Sequence, residues 1–476
     1  MKLVYNVKDK PKFPQLLVFA LQQLLAIMTA TLVVPIITGN GMSPAAALFG
    51  AGIGTIVYVL FTKAKSPVFL GSSFAFLGSM ASAFAGGVSM ELGYLGLIIG
   101  ATFAGLVYVV IAIIVKCAGV NWLNKLMPTA VIGSTVTVIG LSLAGNAVSD
   151  MVKGNVTKEV IDYTIDKSGA IPKLVETKAD VMVGSPLIAL VCALVTLFVV
   201  VLCSVYGKKM IKLIPFVIGI GAGYATAAIF TIIGNAADVD ALKILNFGVF
   251  ESLLVDGKVA FSTFFSVPNF TFLTAFKGTG ELNGAYIAKI AVAYIPVAFV
   301  VFAEHIADHK NISAIIEKDL LEDPGLHRTL LGDGVGSIAG AFFGGCPNTT
   351  YGESVGCVAI TGNASVITII AAAIGAMLIA FISPFVALVN SIPSCVMGGV
   401  CLALYGFIAV SGLKMVQKVD LEDNRNLFVV STILVAGIGG LVVNFGHIQI
   451  TNVATALILG IIVNIMVNKK SDKKVK

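Results

Sequence analysis

Residues 346–361 read CPNTTYGESVGCVAIT, and residues 67–77 read PVFLGSSFAFL. Each stretch lies inside a long apolar tract, yet each contains Pro, Gly, Ser, Thr or Asn residues that interrupt helices. In the hydrocarbon of a bilayer, non-helical backbone persists only where protein buries it or where it lines a watery cavity. Two interrupted segments in corresponding halves of a chain are typical of the substrate site of a transporter. The sequence therefore predicts that these two stretches form such a site.

The composition predicts a membrane protein. Of the 476 residues, 57% are hydrophobic and 12% are charged, and the mean hydropathy is +0.98; soluble domains have about 25% charged residues. The net charge of +6 lies in short connections, which argues against nucleic acid as a partner and favours the lipid bilayer. The seven cysteines form no CxxC pair and no zinc-binding spacing, so we interpret them as small core residues and predict no metal and no cofactor.

Apolar runs long enough to cross the ~30 Å hydrocarbon layer follow one another along the chain. We predict an all-α polytopic membrane protein with about fourteen transmembrane segments. The third and tenth segments contain the two interruptions and are the least regular. The approximate bounds of the runs are 14–38, 44–62, 67–86, 93–116, 127–148, 182–205, 212–234, 286–308, 329–345, 350–363, 365–387, 392–413, 427–444 and 450–468.

Basic residues mark alternate connections between these runs. Lys63 and Lys65 follow the second run, Lys116 and Lys125 follow the fourth, and further Lys or Arg residues follow the sixth, eighth, twelfth and fourteenth. Only the connection after the tenth run breaks this alternation. Because cytoplasmic connections of membrane proteins are enriched in Lys and Arg, we predict that both termini are cytoplasmic.

An internal repeat is visible in the sequence. Residues 127–133 read MPTAVIG and residues 392–398 read IPSCVMG, and Pro393 follows Pro128 by 265 residues. Tyr351, in the second interruption, follows Phe74, in the first, by 277 residues. Seven crossings in each repeat is an odd number, so the two halves would be inserted in opposite orientations. We therefore predict an inverted 7+7 repeat.

Three carboxylates are candidates for function. A charged carboxylate in hydrocarbon costs several kcal/mol unless it is protonated, paired or faces a polar cavity. Glu353 lies in the second interruption with apolar sequence on both sides, and Glu304 follows the apolar run AVAYIPVAFVVFA. Asp308 would share a helix face with Glu304 because the two are four residues apart. Two alternatives remain open: Glu304 lies at the cytoplasmic end of its helix, or Asp308 is solvated there.

Phe74 and Phe76 are candidates for stacking on a flat ligand. They alternate with Ala75 after Gly71, Ser72 and Ser73, which favours an extended segment with both rings on one side. Backbone N–H groups freed at the interruptions would donate hydrogen bonds, and the carboxylates would accept them. Neither of the two interrupted stretches contains a Lys or Arg residue. This combination suits a small, flat, neutral solute with both N–H and C=O groups.

Three motifs carry a resemblance to a known family. They are PNTTYGESVGCVAITGNAS at residues 347–365, AEH at 303–305 followed by EKDLLEDPGLHR at 317–328, and PVFLGSSFAF at 67–76. With them the chain closely resembles the uracil-transporting branch of the nucleobase/ascorbate transporter family, the nucleobase:cation symporters, over nearly its whole length. Purine and xanthine members usually have a Gln and Asn pair at the position of Glu353, so a purine or xanthine permease is the alternative.

The resemblance implies a uracil:proton symporter of the inner (cytoplasmic) membrane. A core domain would comprise residues 14–117 and 286–387, and a gate domain residues 126–235 and 391–468. Short antiparallel strands in the third and tenth segments would build the site. By position, Glu304 matches a glutamate that binds substrate and couples protons. Glu353 matches a second substrate glutamate, Gly352 a backbone donor to a uracil carbonyl, and Phe74 an aromatic contact.

The chain also departs from the family pattern. Some relatives have His at the position of Asp308, and many have His in the first segment, where this chain has Gln23. We therefore expect Glu304 to carry the proton alone or together with Asp308. The resemblance is compatible with a homodimer. A membrane-embedded enzyme is a less favoured alternative because HExxH and paired aspartates are absent from the sequence.

Overall fold

A computed structural model describes residues 3–119, 121–166, 173–208, 210–445 and 448–468. Lys209 and the basic residues after Asn468, which contribute to the predicted charge pattern, lie outside the described residues.

The described chain is predominantly helical, as the composition predicts. The helices are α1 (Phe13–Thr38), α2 (Pro44–Phe61), α3 (Leu77–Phe84), α4 (Met90–Ala118), α5 (Asn121–Leu126), α6 (Thr129–Ser142), α7 (Ala144–Asp150), α8 (Pro186–Tyr206), α9 (Met210–Leu213), α10 (Pro215–Ala236), α11 (Gly248–Glu251), α12 (Phe261–Phe264), α13 (Thr271–Ala275), α14 (Gly284–Ile316), α15 (Leu326–Gly344), α16 (Gly352–Thr361), α17 (Val366–Ile379), α18 (Ser383–Ser391), α19 (Ser394–Val416), α20 (Asn424–Ile438) and α21 (Asn452–Asn468). The strands are β1 (Leu70–Ser72), β2 (Thr157–Asp166), β3 (Lys173–Met182), β4 (Asn348–Thr350), β5 (Val443–Phe445) and β6 (Ile448–Ile450).

Eight helices among the described residues are long and apolar enough to cross a membrane, with Thr129–Asp150 counted as one. Four shorter apolar helices are 10–17 residues long. The polytopic helical fold is therefore confirmed. The count of fourteen crossings and the inverted 7+7 repeat stay predictions.

The chain divides into two compact units. Unit 1 comprises Met1–Leu143, Phe264–Val386 and Tyr405–Lys476, and unit 2 comprises Ala144–Thr263 and Ala387–Leu404. Within unit 2, β2 and β3 pair in antiparallel orientation. The core of unit 2 includes Cys192 and Cys395, which are fully buried as the interpretation of the cysteines predicts. The interpretation is wrong for Cys117, which is exposed on α4.

Glycines let the central helices of unit 1 approach closely. A Cβ on Gly50 of α2 would lie 2.4 Å from the carbonyl oxygen of Gly340 on α15, and one on Gly54 would lie 2.7 Å from that of Gly336. These distances are too short for any side chain. Small residues thus bring the backbones of α2 and α15 into contact, as is common for helices in membranes.

The two interruptions predicted from the sequence pair with each other. β1 and β4 are antiparallel, with Leu70 opposite Thr350, Gly71 opposite Thr349 and Ser72 opposite Asn348. Two further backbone bonds extend the ribbon: Ser73 N donates to Pro347 O at 2.9 Å, and Tyr351 N donates to Phe69 O at 3.2 Å. Each strand supplies partners for the other's backbone, which explains how non-helical backbone persists at this depth. The predicted strands in the third and tenth segments are confirmed.

An N-terminal segment holds the far end of α16. Val4 N and Tyr5 N donate to Gly362 O at 2.8 and 3.3 Å, and Ala364 N donates to Tyr5 O at 2.9 Å. Val366 N donates to Val7 O at 3.1 Å. Gly362 ends α16 with a positive φ of 68°. The short helix that contains Glu353 is therefore fastened at its C-terminal end by the first residues of the chain.

Deleting residues 2–7 is expected to lower the unfolding temperature of the purified protein by several degrees. The deletion removes these four hydrogen bonds, and each contributes about 0.5–1.5 kcal/mol net. Thermal unfolding in detergent measures the effect. Lys8→Ala is the control because it changes only an exposed side chain. An unchanged unfolding temperature in the deletion variant would show that the segment does not hold α16.

Candidate functional site

Glu304 lies in the middle of α14, not at its end. The helix continues for twelve residues beyond it, to Ile316, which is about 18 Å of helix. The alternative that Glu304 lies at a helix end is therefore wrong. Its side chain is exposed while the neighbouring Ala303 and His305 are buried. Because its charge interacts with that of Glu353 on α16, we infer that it faces an opening inside unit 1 rather than lipid.

Asp308 lies one turn further along α14 and is 7% exposed. The alternative that it is solvated at a helix end is therefore wrong as well. Its Oδ2 accepts a hydrogen bond from Thr350 Oγ1 at 2.8 Å. Its charge also interacts with that of Glu304. The expected shared face of Glu304 and Asp308 is thus directed towards β4 and the start of α16.

The N-terminus of α16 provides backbone donors beside these carboxylates. Gly352 is exposed and Glu353 is half-buried, and they are the first two residues of the helix. The first N–H groups of a helix have no intrahelical partner. The side chain of the N-cap residue, Tyr351, accepts no hydrogen bond from them. The Glu353 N–H interacts with the carboxylate of its own side chain. Gly352 can therefore offer its N–H group to a ligand, at the positive end of the helix dipole.

Phe74 and Phe76 differ from the prediction. They lie in a single turn of 3-10 helix, Phe74–Phe76, and the extended piece is Leu70–Ser72 instead. Ring positions two apart do not share a side in such a turn. Phe76 is 1% exposed and stacks on Tyr294 with 5.5 Å between ring centroids. Phe74 is half-buried, with its ring edge-on to Tyr405 at 6.0 Å, so it alone remains a candidate for ligand contact.

A hydrogen-bonded group on α1 supports the start of α16. Gln23 is 3% exposed, and its Nε2 donates to Ser354 Oγ. The same hydroxyl accepts from Phe69 N at 3.0 Å. From the sequence, Gln23 was notable only as a departure from the family pattern. In the structure it ties α1 to the helix that contains Glu353.

Gly71→Ala is expected to destabilise the protein by about 1–3 kcal/mol, as overpacking of a filled core does. A Cβ at this position would lie 2.3 Å from Cε2 of the Tyr351 ring. The ring cannot move away freely because its hydroxyl donates to Ser72 O at 2.7 Å. Thermal unfolding of the purified variant tests this, with Gly145→Ala, which meets no atom within 4 Å, as the control. Equal stability of the two variants would contradict the prediction.

A second set of hydrogen-bonded polar side chains, which the sequence analysis missed, connects α14 with α15 and α2. His305 Nδ1 is 2.7 Å from Asp333 Oδ2, and His305 Nε2 is 3.0 Å from Thr329 Oγ1. His309 Nε2 is 2.6 Å from the Tyr58 hydroxyl. Both histidines are fully buried. The signal was present in the sequence, because Asp333 is a carboxylate inside the apolar ninth run, LGDGVGS.

The acidic side chains of the site have no basic side chain among them. The carboxylates of Glu304, Asp308, Glu353 and Asp333 lie close enough for their charges to interact. Within the part of the chain that the structure describes, none of the four forms an ion pair with Lys or Arg. An anionic ligand would find no cationic partner there, whereas a neutral solute with N–H groups would find acceptors. In the same part of the chain, no three His, Cys, Asp or Glu side chains could hold a metal ion.

The model of the Permease family matches residues 14–175 and 160–446. Among curated proteins, the uracil permease of Bacillus subtilis (strain 168) is 35% identical over 99% of this chain and 97% of its own length. The uracil permease of Bacillus caldolyticus is 36% identical over 98% of this chain and 95% of its own length. One similar solved structure is the transmembrane domain of a cyanobacterium bicarbonate transporter BicA. The match covers 97% of this chain and 100% of that chain. It has a TM-score of 0.58 at 14% identity, which bears on the fold alone.

These matches define a multi-pass membrane transporter rather than an enzyme. The chain belongs to the permease family that contains the bacterial uracil permeases.

Proposed function

We propose that this chain imports uracil, together with protons, across the cytoplasmic membrane. The observation that carries the proposal is the convergence of Glu304, Glu353 and the open N–H group of Gly352 at the start of α16. In the described residues, neither glutamate forms an ion pair with a cation. Relatives named uracil permeases, about 35% identical over nearly the whole chain, support the same substrate.

Uracil is flat and neutral and has two N–H groups and two carbonyl oxygens. In the proposal, Glu304 and Glu353 accept its N–H groups, and the backbone N–H of Gly352 donates to a carbonyl oxygen. Phe74 offers a ring to the base. Each polar group of the solute then has a partner when it leaves water, which is the condition for binding in a site of low dielectric.

The proton is assigned to Glu304, with Asp308 as the second carboxylate of the coupling pair. Two carboxylates one helical turn apart repel each other when both are charged, so a proton on either lowers the free energy of the pair. In the proposal, protonated Glu304 stabilises the uracil-loaded state. Loss of that proton to the cytoplasm weakens the site and releases the substrate.

The division into a core and a gate domain, the orientation in the membrane and the oligomeric state are also proposals. Residues 14–117 and 286–387 would form the core domain that holds the site, and residues 126–235 and 391–468 the gate domain. Both termini would be cytoplasmic, in accord with the basic even-numbered connections. A homodimer in the bilayer is compatible with the family resemblance.

Uracil binding to the purified protein tests the substrate assignment. Labelled uracil is expected to bind saturably and to be displaced by unlabelled uracil but not by excess xanthine. Glu353→Gln is expected to weaken binding about tenfold or more, because it replaces a charged acceptor by a neutral one. Asp256→Asn, at an exposed position, is the control. Displacement by xanthine would assign the site to purines instead.

A further inference from the structure

Two neighbouring threonines at the end of β4 have different surroundings. Thr350 Oγ1 donates to Asp308 Oδ2 at 2.8 Å. Thr349 Oγ1 is buried and has no hydrogen-bond partner among the described residues. Successive side chains of a strand point to opposite faces, so only Thr350 can reach α14. One side-chain hydrogen bond therefore joins β4 to the carboxylate of Asp308.

This hydrogen bond lies next to the backbone donors of the site. Thr350 is two residues before Gly352, and a Cβ on Gly352 would lie 3.7 Å from Asp308 Oδ1. Thr350 is also paired with Leu70 of β1, whose N–H donates to Thr55 Oγ1 at 2.9 Å. A displacement of Thr350 would therefore move the first residue of α16 relative to a β1 strand that α2 holds in place.

We propose that Asp308 is a positioning residue, whose charge acts through Thr350 to place the N–H group of Gly352. The inference rests on the proposed function and adds to it a physical path between a proton on α14 and the affinity of the site for uracil. Asp308 need not touch the substrate to have this effect.

The chemistry of the hydrogen bond gives the direction of the effect. A hydroxyl donates more strongly to a carboxylate than to a neutral carboxylic acid, by about a factor of two in energy. Charged Asp308 therefore holds Thr350 and the start of α16 close to α14, and protonation loosens this contact. Other titratable groups interact electrostatically with the carboxylate of Asp308 and therefore influence its protonation. They are Glu304 on α14, Glu353 on α16, Asp333 on α15, Tyr58 on α2 and Tyr108 on α4.

Thr350→Val tests the path because it keeps the shape of the side chain and removes the donor. Uracil affinity of the purified full-length protein is measured from pH 5 to pH 9. Without the hydroxyl, the charged form of Asp308 loses a partner, so the midpoint of the pH profile is expected to move upwards by about one unit. Thr350→Ser retains the donor and is expected to restore the wild-type midpoint.

Thr349→Val is the matched control, since its hydroxyl has no partner among the described residues. In an Asp308→Asn background, Thr350→Val is expected to shift the midpoint no further, because the two changes act on one interaction. A wild-type midpoint in Thr350→Val, or equal shifts from the two threonine variants, would overturn the inference. A shift that persists in full in the Asp308→Asn background would overturn it as well.

A second readout needs no substrate. The infrared carboxyl band that disappears in Asp308→Asn is followed against pH in the wild type and in Thr350→Val. An upward shift of its titration midpoint in Thr350→Val supports the hydrogen-bond path even if uracil proves to be the wrong substrate. An unchanged midpoint contradicts the path while leaving the transport of uracil untouched.

Discussion

Glu304→Gln is expected to abolish the accumulation of uracil against its gradient while leaving uracil binding measurable. Glutamine keeps the size of the side chain and one acceptor oxygen, but it cannot take up or release a proton at neutral pH. Because glutamine is neutral, like the protonated Glu304 of the uracil-loaded state, binding is expected to weaken by no more than about tenfold. Counterflow exchange in proteoliposomes, which requires no proton gradient, is expected to continue at a reduced rate.

The control for this variant is Glu322→Gln, an exposed glutamate after the end of α14. It is expected to accumulate uracil like the wild type. Glu304→Gln protein that still concentrates uracil under a proton gradient would remove Glu304 from the coupling. Loss of exchange together with loss of accumulation in a protein that unfolds at the wild-type temperature would place its role in binding alone.

Asp333→Ala is expected to have the largest effect on stability, about 3–5 kcal/mol, because it removes one partner of a buried hydrogen-bonded pair. The proton positions explain the cost. Thr329 Oγ1 donates its own hydrogen to Leu326 O at 3.0 Å, so it must accept from His305 Nε2. One further proton then lies between His305 Nδ1 and Asp333 Oδ2, which are 2.7 Å apart. Without Asp333, the Nδ1 of a fully buried imidazole has no partner.

Thermal unfolding and expression level in the membrane measure this effect. Asp333→Asn keeps an acceptor oxygen and the side-chain volume, so it is expected to be clearly more stable than Asp333→Ala. Asp323→Ala is the matched control at the surface, where the pairing with Lys65 is largely exposed to solvent and contributes little. Similar unfolding temperatures for Asp333→Ala and Asp323→Ala would contradict the structural importance of the buried pair.

The helical membrane fold, and the pairing of the two interrupted stretches at the candidate site, were predictable from local chemistry. Helix-breaking residues inside apolar tracts indicated β1 and β4, because a bilayer leaves few structures open to such backbone. The cost of a buried carboxylate indicated Glu304 and Glu353. Both inferences depend on the surrounding solvent rather than on tertiary detail, which is why a single sequence was sufficient.

The remaining features depend on contacts between distant residues. The extended conformation expected for Phe74 and Phe76 was wrong because the strand ends at Ser72, where its pairing with β4 ends. The role of Gln23 depends on Ser354, 331 residues away. Asp333 is different, because the argument applied to Glu304 would have identified it. Only its partner, His305 on another helix, required the structure.

Uptake of labelled uracil into proteoliposomes, with the outside acidic, tests the central claim most directly. We predict that uracil accumulates above its equilibrium concentration, that a protonophore collapses the accumulation, and that excess xanthine does not compete. Uptake that never exceeds equilibrium, or accumulation that is indifferent to the protonophore, would contradict proton-coupled transport of uracil by this protein.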